Sequence, residues 1–391
     1  MKRLNGGRRT VAAMATSLLV LLGAACGGHA APNASGPRPT TSTVPATGST
    51  AAKPPLAKTP RSRPARRQAH VHHVTKKARR KVALVVPGPP RCPLTGTTPP
   101  DGRVPQRAAV AVKIENLPQA RPQWGLDKAD IVFEEPVEGG ITRFIAVYQC
   151  HSAARIEPVR SGRLVDPQIL EPLGRILFAY SGAIQPAIDE IDSPRSLLYD
   201  VGADKVGGAY WRDPNAYSPH NLETSTSALY AAAKALGYPD KGPTPIFSYG
   251  RAAPGGTPAA AVNIYDQLDV TTWTWRPSTG VYDRSYSDTG PALQGDGVQI
   301  TASNVIVMLV HEYPTPWPED ATGALENELT LKGSGPAWVF RDGAQFYGYW
   351  ERPFLDDPTV FYEANGTRIT LTPGGTWVEL VPDGLRVFVK P

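Results

Sequence analysis

The stretch EEPVEGGITRFIAVYQCHSAARIEPVRSGR, residues 134–163, decides how this chain is read. Glu134, Glu135 and Glu138 lead into the Gly139-Gly140 pair, and a mainly apolar run from Ile141 to Tyr148 follows. An apolar run of that length beside glycines predicts a buried strand. Arg155, Arg160 and Arg163 close the stretch, spaced too tightly for ordinary core. Charge, glycine and strand signals meet here, and together they predict a pocket for an anionic, polar group.

Working outward, Ala108 to Ile114 alternates as a strand that carries Lys113 and delivers Glu115 to its end. Ala129 to Glu135 and Arg175 to Tyr180 predict two more strands, and a short helix is expected over Pro186 to Ile191. Tyr210 to Asn221, YWRDPNAYSPHN, is a proline-rich loop. Ser225 to Leu236 predicts the clearest helix, with hydroxyl caps before it, Leu229, Ala232, Ala233 and Leu236 on one face, and Gly237 as the stop. Pro239 to Pro258 has the proline and glycine density of a connection. Beyond it the pattern is almost all strand. Asn304 to Val310 is a buried run, and Trp338 to Trp350 is a hairpin about Asp342-Gly343. Asn365-Gly366 marks another turn, ahead of strands at Arg368 to Leu371 and Thr376 to Val381. The expected fold class is α+β, an N-terminal α/β domain over residues 92–242 and a β-rich C-terminal domain over 255–391.

Charge divides the chain sharply. Residues 1–100 hold seventeen Lys and Arg and no acid, so the remainder carries 41 − 17 = 24 bases against 35 acids, a balance of −11. The overall charge of +6 therefore describes the tail and not the folded part. Lys2, Arg3, Arg8 and Arg9 followed by the apolar Val11 to Leu22 predict a signal peptide over residues 1–26. Leu22-Gly23-Ala24-Ala25-Cys26 is similar to a bacterial lipobox, which predicts lipidation at Cys26; ordinary cleavage without lipid is the alternative. Residues 27–91 predict a disordered basic linker, because low hydrophobicity with unopposed charge cannot offset chain entropy. Its nine basic residues from Arg61 to Lys81 suit anionic lipid or wall polymer. Nucleic acid is not expected there, since no aromatic residues interleave the charges. Outside the cytoplasm Cys92 and Cys150 form an even pair, read as a disulfide or as two buried thiols.

From residue 93 onward many segments resemble one family. PLTG at Pro93, KIEN at Lys113, ARPQWGL at Ala120, ADIVFE at Ala129 and EGGITRF at Glu138 carry the resemblance. So do PVRSGR at Pro158, WRDPNAYSPHNL at Trp211, NVIVM at Asn304 and LTPGGTWVELVP at Leu371. Together they are similar to the YerB-like lipoproteins, a bacterial two-domain family. Glu115 stands where the family pattern leads one to expect Asn. The resemblance implies an extracytoplasmic chain with an α/β first domain and a β-rich second, and it brings no assigned catalytic residues.

Arg143, Arg160, Arg163 and Arg212, with Lys113, are the candidate ligand-binding cations, because arginine's planar fork pairs with phosphate or carboxylate. Asn221 and Glu138 are placed to orient them or the ligand. His220 and Glu138 are the weak catalytic candidates. A buried ion-pair network, with Glu134, Glu135 and Glu138 satisfying the arginines, is the competing reading. Ser161 and Ser181 lack a nucleophile-elbow frame, and His220 with Glu223 lacks the second histidine of a zinc site. No cofactor and no metal are expected. The favoured function is a membrane-anchored lipoprotein that binds an anionic envelope component or a protein partner. The alternative is an envelope enzyme acting on a phosphorylated or glycan substrate.

Overall fold

The computed structural model describes residues 88–250, 255–266, 268–319 and 322–391. Up to residue 87, the segments expected as a signal peptide and a basic linker, with Cys26, lie outside the described residues.

The first half supplies β1 (Val110–Glu115), β2 (Ile131–Val137), β3 (Ile141–Tyr148), β4 (Ile176–Ala179) and β5 (Leu198–Asp200). Its helices are α1 (Asp166–Leu170), α2 (Gln185–Ile191) and α3 (Thr226–Ala235), and the ends of the 210–221 loop pair as β6 (Tyr210–Arg212) and β7 (Leu222–Thr224). The second half begins with β8 (Thr257–Pro258), β9 (Ala261–Tyr265), β10 (Val270–Arg276), β11 (Val281–Tyr286), β12 (Gly290–Pro291) and β13 (Thr301–Ala302). It continues with β14 (Asn304–Pro318), β15 (Leu325–Thr330), β16 (Gly333–Arg341), β17 (Ala344–Arg352) and β18 (Val360–Glu363), and ends with β19 (Thr376–Pro382) and β20 (Arg386–Lys390). The described chain is mostly strand with few, short helices.

The two halves meet in one twelve-stranded sheet, ordered β18-β17-β16-β14-β19-β2-β3-β1-β4-β5, with β15 beside β14 and β8 beside β17. The join is the parallel pairing of β19 with β2, which sets Thr376 to Glu379 against Ile131 to Glu134. A second sheet, β12-β11-β10-β9-β20 with β13, and helix α3 cover one face of it. Helices α1 and α2 and the Ile246 segment pack against the other face. Strands buried on both faces read as nearly continuous apolar runs, and VAVKIE of β1 is buried at all six positions.

Local signals act as elementary chemistry requires. Ser225 Oγ accepts from the Ala228 amide at 3.1 Å to cap α3, and Gly237 ends that helix in a left-handed conformation. Asp342 and Gly343 both take positive φ, the mirror-image turn that matches hairpin twist, and join β16 to β17. Residues 368–371, expected as a strand, make only isolated bridges, Arg368 to Tyr362 and Leu371 to Tyr249. The turn at Asn365-Gly366 brings them back beside β18, but Pro373-Gly374-Gly375 follows before a ladder can form. Cys92 and Cys150 are joined as a disulfide across 58 residues.

Candidate functional site

Glu134 and Glu135 point to opposite faces of the sheet because strand side chains alternate. The β1–β3–β2 register aligns Glu115, Arg143 and Glu135 in one row on the face that α1 covers. One step along β1, Lys113 shares that face and is fully buried. Its Nζ pairs with Glu135 Oε1 and lies 2.6 Å from Asp166 Oδ1 at the start of α1. Asp166 Oδ2 also accepts from the Arg163 amide at 2.7 Å, so one carboxylate fixes both the lysine and the incoming loop. Burial pulls the Lys113 ammonium down to about 8, against the upward pull of Asp166.

Arg163 is held from two sides. Its Nη2 and Nε donate to Glu138 at 2.5 and 3.1 Å, and its Nη1 lies 2.7 Å from Glu319 Oε1. Arg143 is provided for less well. Its nearest carboxylate is the same Glu138, at 3.6 Å, and its Nε and Nη1 are buried without a hydrogen-bond acceptor. Burial, then the charge of Arg163, draws the Arg143 guanidinium down to about 10, and Glu138 only partly restores it. Burial alone would raise the Glu138 carboxyl, but Arg163 and Arg143 outweigh it and hold it below the usual carboxylate range.

Toward solvent the row ends at Glu115. Arg160 Nε stands 3.2 Å from Glu115 Oε1, close enough for charge attraction but not aligned as a hydrogen bond. His220 Nδ1 lies 2.8 Å from Glu115 Oε2. Both the arginine and the histidine are half-buried, whereas Arg143 and Lys113 are buried. The loop that carries His220 is pinned by Asn221, whose Nδ2 donates to the Asp213 and Ala216 carbonyls at 3.0 and 3.2 Å. Arg212 is exposed and donates to Asn221 Oδ1 at 2.7 Å. No contact among the described residues links Arg212 to Arg143, Arg160 or Arg163. Glu223 pairs with Arg155 at 2.7 Å, and among the described residues no three metal-ligating side chains converge.

The opposite face holds a second buried cluster. Arg284 of β11 lies between Glu134 of β2 and Glu379 of β19, at 2.8 and 2.9 Å. Trp273 Nε1 donates to Glu379 at 2.7 Å and Trp377 Nε1 to Glu134 at 3.1 Å. Trp350 and Trp377 are core residues, whereas Trp338 is half-buried.

Sequence reasoning singled out Lys113, Arg143, Arg160, Arg163, Glu138 and His220, and the fold brings these together. It missed Asp166, Glu319 and the Arg284 cluster. A signal for Arg284 existed: in VYDRSY it occupies the same alternating face as Tyr282 and Tyr286, where a lone cation needs a buried partner. Asp166 and Glu319 gave no such sign, because each is defined by a distant strand.

With this geometry in place, two family models match the chain. One is the protein of unknown function (DUF3048) N-terminal domain, over residues 94–239. The other is the DUF3048 C-terminal domain, over residues 260–378. The chain is 28% identical over 298 residues to the "Putative lipoprotein YerB" of Bacillus subtilis (strain 168), covering 75% of this chain and 86% of that one. The crystal structure of the YerB protein from Bacillus subtilis has the same fold, with a TM-score of 0.65 at 24% identity over 76% of this chain and 99% of that chain.

Proposed function

From the premise that the chain belongs to the YerB-like family, with both DUF3048 domains, we propose that it is an exported lipoprotein, anchored by lipid at Cys26, that binds an anionic envelope component. The anionic group sits between Arg143 and Arg160, with His220 at the mouth. The observation that carries this reading is the Arg143 guanidinium, buried with Nε and Nη1 lacking acceptors while Lys113 and Arg163 each have two carboxylates. A buried charged donor left unmatched is costly, and a bound carboxylate or phosphate supplies the missing acceptors. The basic linker would hold the folded part near anionic lipid or wall polymer.

A second reading rests on the His220–Glu115 contact at 2.8 Å. A carboxylate that orients an imidazole beside Arg160 makes a proton carrier, which suits an enzyme acting on a phosphorylated substrate.

The test is melting of the full chain with phosphate, polyprenyl-phosphate analogues, muropeptides and teichoic-acid fragments. A ligand at a hundred times its dissociation constant stabilises by about 2.7 kcal/mol. A shift lost in Arg143→Ala supports the site; a shift unchanged in that variant, or none with any ligand, overturns it. Turnover abolished by His220→Ala with binding intact would establish the enzyme reading. Anchoring is tested by Cys26→Ser, which should release the protein from membranes.

A further inference from the structure

Phe340 of β16 lies under the second sheet, where its ring meets that of Tyr282 in β11. Two residues back on the same face, Trp338 is only half-buried. The antiparallel registers set Trp338 opposite Tyr347, and Tyr349 opposite both Pro336 and Tyr362. Alternation along each strand puts all five on one side of the sheet. The Trp338 and Tyr347 rings stand 4.9 Å apart, and those of Tyr349 and Tyr362 stand 5.2 Å apart. Tyr347 is 54% exposed and Tyr349 36%. The rings therefore form one aromatic platform across three strands, about 10 Å wide.

The area and the polar groups of this platform say what it fits. With about 150–250 Å² per aromatic side chain, the exposed parts of the four rings come to about 300 Å². That is well below the roughly 800 Å² per partner of a stable protein interface. The next row of the ladder is polar, with exposed Glu351 opposite exposed Ser334. No lysine or arginine occupies these rows, and among the described residues Glu351 has no ion-pair partner. The Trp338 indole N–H and the three tyrosine hydroxyls likewise meet no described partner. An anionic polymer would face Glu351 unopposed, and an acyl chain would leave the donors unmatched. A pyranose ring meets both demands. Its C–H face rests on the negative face of an aromatic ring, and its edge hydroxyls pair with Glu351, the indole and the phenols.

We infer that this face binds an uncharged glycan chain, with its sugar rings stacked on Trp338, Tyr347, Tyr349 and Tyr362 and its hydroxyls held by Glu351. The platform lies on the opposite side of the sheet from the Arg143 row, so either can fail without the other.

The test is calorimetric titration of the full chain, carrying Cys26→Ser so that no detergent is needed, with chitobiose, chitotetraose, cellobiose, cellotetraose and the hyaluronate tetrasaccharide. At least one uncharged tetrasaccharide should bind, about tenfold or more tightly than its disaccharide, because further rings stack. Tyr347→Ala and Tyr349→Ala should each weaken that binding about tenfold, one stacked ring apart. Tyr347→Phe keeps the ring and should recover most of the affinity. Hyaluronate should bind more weakly than the uncharged tetrasaccharide and gain on it in Glu351→Gln. Both tyrosines are exposed, so the variants should melt with the parent, which separates a lost contact from a lost fold. No binding of either uncharged tetrasaccharide, or binding unchanged in both alanine variants, overturns the inference. A parent dimer that Tyr347→Ala disperses gives the face to a second copy of the chain and overturns it as well. Hyaluronate binding as tight as that of the uncharged tetrasaccharide overturns the uncharged class.

Discussion

Arg284 Nη2 lies 2.8 Å from Glu134 Oε2, an ion pair without solvent exposure formed by residues 150 positions apart. With Glu379 on its other side, Arg284 ties the second sheet to the seam where β2 meets β19, and so ties the two halves of the chain together.

Removing that cation alone should be severe. Arg284→Ala leaves Glu134 and Glu379 facing each other in the dark interior, and such a loss costs about 3–5 kcal/mol. Burial, and then Glu134, already push the Glu379 carboxyl well above the usual range. Adding Glu379→Gln to the Arg284→Ala chain should therefore restore part of the stability. Urea unfolding midpoints of the two variants check this; a double variant no more stable than the single one refutes it.

Arg163 and Arg212 should behave very differently. Arg163→Ala removes a buried guanidinium that meets both Glu138 and Glu319 and should cost about 3–5 kcal/mol. Arg212→Ala removes one exposed hydrogen bond and should stay within about 0.5 kcal/mol of the parent. Chemical denaturation separates these outcomes plainly.

Stability should fall as pH rises through neutrality. Burial pushes Glu326 and Glu328 of β15 up to about 7, against downward pulls from the Leu164 and Leu329 amides. Between the ordinary carboxylate range and pH 7, the folded chain thus keeps protons that the unfolded chain has released. That difference stabilises the fold at low pH and is lost as pH climbs through the window. The melting temperature should drop from pH 5 to pH 8, and Glu326→Gln with Glu328→Gln should flatten the slope. An unaltered slope in the double variant would assign the dependence to other groups.

The Cys92–Cys150 bridge closes 58 residues, from the entry of the fold to the end of β3. On the chain-entropy account a loop of that length contributes about 4 kcal/mol. Unreduced, denatured protein should show neither Cys92 nor Cys150 as a reactive thiol, and Cys150→Ser should lower the urea midpoint accordingly.

Much of this was legible in the sequence, and for identifiable reasons. Ile141–Tyr148 was bounded by Gly139-Gly140 and coincides with β3. The Ser225 cap, the Gly237 stop and the Asp342-Gly343 turn each rest on chemistry within a few residues. The cations of the candidate site were also legible, since charge in an apolar strand stands out. Whether those cations were free or paired was not. Lys113 finds Asp166, and Arg163 finds Glu319, through the packing of α1 and the β14–β15 arm.

By itself the sequence determined strands such as β3 and the alternation that divides Glu134 from Glu135, because both follow from local pattern and a strand period of two. Only the tertiary structure decided what each carboxylate meets. The parallel seam of β2 with β19 brings Glu379 and Arg284 to Glu134, whereas Glu135 meets Lys113 of β1. Such partners are set by sheet order and register between strands far apart in the chain, and no local pattern encodes them.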